Sequence, residues 1–108
     1  MFVTFYRFQN VDNTVITQKV SDVQVDLGET TELQCKARAD ASLSLLYKWI
    51  KDDQEIVYNK QISWDEQKNV LRIEKVELNN TGKYTCVAYT SKPYYSQDMT
   101  TAVLSIKG

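Results

Sequence analysis

The sequence predicts an all-β domain, a sandwich of two antiparallel sheets, on three observations. Apolar and polar residues alternate at period two through a series of short runs, the signature of strands with one buried face. Turn-forming clusters separate the runs at short intervals. Two cysteines and a tryptophan fall at inward positions of three of those runs. A chain of 108 residues is about one domain's length.

Taken in order, Val23, Val25 and Leu27 share one face, and a turn follows over 26–30 with Gly28. In the run 31–37, Leu33, Cys35 and Ala37 point inward between Glu32, Gln34 and Lys36. Leu45, Tyr47 and Trp49 form the next inward set, closed by a polar turn over 51–55. A second turn over 65–69 leads to Leu71 and Ile73, and a third over 79–82 leads to Tyr84, Cys86 and Ala88. The connection 91–98, with Pro93, precedes Ala102, Leu104 and Ile106. No stretch carries a capped apolar stripe of helical period, so the order of elements favours a sandwich over alternating strand–helix units.

Composition narrows the function. With no histidine, the usual general base, the Ser/His and Cys/His nucleophile pairs and every His-containing zinc site are absent. With only 3 glycines, no phosphate-cradling loop can be written. Asp52, Asp53, Glu55, Asp65 and Glu66 lie in turn-type runs and read as solvated charge rather than an acid/base pair. The expectation is no enzyme, no cofactor and no metal. Lys+Arg number 13 against Asp+Glu 14, interspersed, so nucleic acid is not an expected partner. No segment approaches the ~20 apolar residues that span a bilayer, and residues 1–10, interrupted by Arg7, do not read as a signal peptide. The chain reads as either a cytosolic protein or one module of a longer protein.

Cys35 and Cys86 stand 51 residues apart, Trp49 is fourteen after the first, and Tyr84 is two before the second. This spacing is that of an immunoglobulin sandwich, which implies a bridge between facing sheets, Trp49 packed on it, and a hydroxyl bond from Tyr84 to upstream backbone. Two buried free thiols in a reducing compartment are the alternative. The run Val25-Asp26-Leu27-Gly28-Glu29, then Leu71-Arg72-Ile73-Glu74-Lys75-Val76 and Asn80-Thr81-Gly82-Lys83-Tyr84-Thr85-Cys86, resembles the I-set of immunoglobulin domains. The family usually has Asp where Asn80 stands, which puts its salt bridge there in doubt. Residues 40–49, 82–88 and 103–108 are similar to the last, membrane-proximal immunoglobulin domain of the contactin, neurofascin and neuroglian group of neural cell-adhesion proteins. That likeness implies flanking immunoglobulin and fibronectin type III domains.

The domain is expected over 14–108. Residues 1–13 carry Phe2, Phe5, Tyr6 and Phe8, too apolar for a solvated linker, and either extend the first strand or pack on the end of the sandwich, or form an exposed edge strand that pairs with another chain. Leu71, Trp49 and Tyr84 are the expected core. On the outward side, Leu46, Lys48, Ile50, Val87, Tyr89 and Val103 form a candidate protein-binding face, and Tyr94 and Tyr95 a recognition loop. Asn79-Asn80-Thr81 is an N-glycosylation acceptor if the chain is secreted. The expected function is a non-catalytic extracellular protein-binding or spacer module of a cell-adhesion receptor, its partners other proteins, a weak homodimer among them. The alternative is a structural domain of an intracellular muscle or cytoskeletal protein.

Overall fold

The computed structural model describes residues 11–107; the aromatic segment at 1–10, and so the expectation placed on it, lies outside the described residues. Among the described residues ten strands run β1 (Val15–Gln18), β2 (Val23–Val25), β3 (Thr31–Gln34), β4 (Lys36–Arg38), β5 (Leu46–Lys51), β6 (Gln54–Glu55), β7 (Ile62–Asp65), β8 (Val70–Ile73), β9 (Gly82–Thr90) and β10 (Ser96–Ile106). One layer has the order β2-β10-β9-β5-β6. The facing layer combines β3-β8-β7 with β1-β4, because β3 and β4 are one run interrupted only at Cys35.

The first strand is divided between the layers. β1 pairs antiparallel with β4, whereas β2 pairs with β10 in parallel, Leu104 opposite Val23, a parallel edge on sheets whose other described pairings are antiparallel. Asp side chains tie both halves to β10: Ile16 N donates to Asp98 Oδ2 at 2.8 Å across the layers, and Val103 N donates to Asp22 Oδ1 at 2.8 Å within the five-stranded layer. An edge strand split in this way covers one side of each sheet and removes a template for unwanted pairing.

Alternation places Leu33, Leu71, Ile73, Cys86 and Leu104 in a common core, each no more than 3% exposed. Cys35 and Cys86 are joined by a disulfide, with Cα atoms 6.5 Å apart. Trp49, 1% exposed, is the register partner of Cys86. Leu71, fully buried, lies between Leu33 on β3 and Trp64 on β7. Tyr84, 1% exposed, donates its hydroxyl to Asn80 O. Leu27 does not join Val25 inside: β2 ends at Val25, the chain turns through Gly28 at φ +86°, and Leu27 is left 58% exposed. The loop before β10 is shorter than 91–98, because Ser96, Gln97 and Asp98 already pair with β9.

A buried amide joins these parts. Asn69, at φ +51° in the turn between β7 and β8, accepts from both indoles, Trp49 Nε1 and Trp64 Nε1, at 2.9 Å each. Its Nδ2 donates to Cys35 O at 3.0 Å and approaches both cysteine sulfurs at 3.3 Å. Sequence reading places Asn69 in a turn and overlooks Trp64; the turn folds over the end of the core, so the residue that supplies the left-handed backbone also supplies the acceptor.

Candidate protein-binding face

The outer face of the five-stranded layer is built by register. Across β5, β9 and β10 the outward rows are Leu46, Tyr89 and Gln97; then Lys48, Val87 and Met99; then Ile50, Thr85 and Thr101. Val103 follows beside Lys83. Within this array Leu46 is 42% exposed, Met99 51% and Val103 47%, while Ile50 and Tyr89 are half-buried.

Val87 corrects the sequence reading. It has outward phase yet is 2% exposed, because it is a short side chain on the central strand with the long side chains of Lys48 and Met99 directly opposite. It supports the face from beneath and presents nothing to a partner. Met99 was missed because it falls just after a segment read as loop; extending the period-two pattern back from Val103 through Thr101 reaches it. Lys48 Nζ lies 5.5 Å from the Tyr89 ring centroid, so the one cation in those rows rests on an aromatic face.

The loop at one end of the face divides its two tyrosines. Thr90, 2% exposed, donates its hydroxyl to Tyr94 O at 2.9 Å and accepts from Ser96 N at 3.1 Å, which closes the loop base. Tyr94 is half-buried and Tyr95 is 70% exposed beside Tyr89 and Gln97. Asn79 lies at the other pole, exposed in the 3-10 turn Leu78–Asn80 that precedes β9. Lys51 Nζ donates to its carbonyl at 2.6 Å, leaving the side chain toward solvent. Its neighbour Asn80, 5% exposed, accepts from Glu77 N at 2.7 Å and Gln61 Nε2 at 2.9 Å. A neutral amide pair thus occupies the position where a carboxylate would require a cation.

Residues 14–106 match the family described as Immunoglobulin I-set domain. Contactin-2 of Homo sapiens is 34% identical over 98 residues, covering 85% of this chain and 9% of that protein. Neuroglian of Drosophila melanogaster is 32% identical over 80 residues, 73% of this chain and 6% of its own length. The chain therefore spans under a tenth of these curated relatives. Among solved structures, titin M4 superposes with a TM-score of 0.75 at 18% identity, over 89% of this chain and 98% of that one, a likeness of fold. With the bridged cysteines, the buried tryptophan and the tyrosine bond in place, the chain belongs to the immunoglobulin I-set family.

Proposed function

We propose that residues 14–108 form a non-catalytic extracellular protein-binding module of a multidomain neural cell-adhesion receptor, flanked by further immunoglobulin and fibronectin type III domains. The observation that carries this reading is the outer face, where Leu46, Met99 and Val103 stand exposed on one open sheet that ends at the exposed Tyr95. Isolated surface hydrophobes are ordinary; several on one flat face, with an aromatic at its rim, are the composition of a contact surface. The relatives among cell-surface adhesion proteins support the same setting.

Glycosylation at Asn79 is compatible with it. Strand β9 starts beside that turn and runs 9 residues to the tyrosine loop, a separation of roughly 30 Å at ~3.3 Å per residue. A glycan at one pole leaves the Leu46 and Tyr95 end of the face open.

Retention of the tetramerised domain on cultured neural cells tests the reading. Wild type is expected to be retained and the Met99→Asp/Val103→Asp double variant to be lost, with the two proteins melting alike. Equal retention of both contradicts the face; no retention of either leaves a spacer role.

A further inference from the structure

The side of β5 away from β9 is only partly covered. β6 pairs with β5 at Ile50 and Lys51 alone, so among the described residues the edge from Leu46 to Lys48 has no strand beside it. Along this edge lies a groove of about 470 Å³. Tyr58 and Trp64 form one wall, their rings stacked 5.9 Å apart at 16°. Glu55 and Glu66 also line it, and among the described residues neither is in an ion pair. Lys48, the lining cation, is turned onto Tyr89. The two carboxylates are felt inside: the Tyr58 phenol is pushed above its ordinary value by burial first, and then by Glu55 and Glu66.

An open strand edge recruits an extended segment, and aromatic walls beside unpaired carboxylates favour a guanidinium, which stacks on a ring while its N–H groups reach the acids. Building on the protein-binding reading, we infer that this groove takes residues 5–8 of a second copy, added to the edge of β5 with Arg7 between the Tyr58 ring and Glu66. The segment Phe5-Tyr6-Arg7-Phe8 has the matching chemistry, one cation among aromatics. In an extended strand Phe5 and Arg7 share a side, so both face the groove.

Reach argues for a second copy rather than the same one. Arg7 precedes Val11 by four residues, at most ~14 Å of extended chain. The described chain begins at Val11, and Asp12 N donates to Asp40 Oδ2 at 2.9 Å just past the end of the β1–β4 ladder; from that edge the layer order places β4, β8 and β7 before the groove, three spacings of ~4.8 Å or about 14 Å. Nothing is left for the step off the sheet.

Sedimentation velocity on the full 108-residue chain at micromolar concentration tests the pairing, with Arg7→Glu, Glu66→Arg and the combined variant. Each single reversal is expected to weaken the dimer by about tenfold, and the combined variant to return to within about threefold of wild type. A wild-type dimer indifferent to both reversals overturns this seat while leaving a homophilic module standing. A wild-type chain that stays monomeric overturns the occupant and homophily together, with cell retention still reading contact with other proteins.

Discussion

Asn69 is 1% exposed and serves as acceptor for two indoles and donor at the disulfide. Replacing it by Leu keeps the branched heavy-atom shape, though with bulkier methyl groups, and strands both indole N–H groups, each left-over donor costing about 1 to 3 kcal/mol, and places a less tolerant residue at φ +51°. Asn69→Leu is therefore expected to lose about 3 kcal/mol, read as a lower urea midpoint at unchanged slope. Tyr84 makes a smaller, separable contribution. Tyr84→Phe retains the ring and removes the bond to Asn80 O, for an expected loss of about 1 to 2 kcal/mol. Burial first, then the charge of Asp52, pushes the Tyr84 phenol up to about 12 from an ordinary 10.0. The unfolded chain therefore releases this proton first, so the neutral phenol's contribution is complete below pH 10.0 and is lost as pH rises through about 12. Melting curves across that window should fall more steeply for wild type than for Tyr84→Phe. Of these two residues the sequence discloses one: Tyr84 sits at a recognisable offset from a cysteine, whereas Asn69 looks like any turn asparagine until the turn is folded over the core.

Among the elements, the start of β9 depends on a glycine that its neighbours require. Gly82 has φ +145°, and a Cβ there would stand 2.5 Å from Asp52 Oδ2. Asp52 is held in place, since its N donates to Lys83 O and its Oδ1 accepts from Lys83 N, both at 2.9 Å. The turn between β5 and β6 is thus fastened to the strand that carries Tyr84 and Cys86. Gly82→Ala should cost about 2 kcal/mol, part from backbone strain and part from displacing the carboxylate. In an Asp52→Ala background the second part disappears, so denaturant midpoints should give a positive coupling between the two sites. Strand phase was legible at this scale for β3, β5, β8, β9 and β10. What periodicity could not supply was lateral cover: Val87 has outward phase, and only the neighbouring strands decide that Lys48 and Met99 hide it. Likewise β7, with Trp64, is too short and too polar in its alternate positions to stand out before its partner β8 is known.

For the whole molecule, two cysteines, one tryptophan and one tyrosine at fixed offsets were enough to specify the sandwich, because each constrains a different pair of elements. The division of the first strand between layers was not legible, since it depends on Asp22 and Asp98 bonding to backbone more than 80 residues away in sequence. Closing the 51-residue span between Cys35 and Cys86 contributes about 4 kcal/mol on a chain-entropy account, a large part of a small domain's ~5 to 15. That covalent link also separates the two settings in which this fold serves, because it persists outside the cell and is reduced inside it. The direct measurement is mass spectrometry of the protein from its native source, alkylated without reduction and then digested. An extracellular module predicts the Cys35 peptide joined to the Cys86 peptide with neither thiol alkylated; both cysteines recovered as alkylated free thiols would contradict it and place the domain as an intracellular mechanical link.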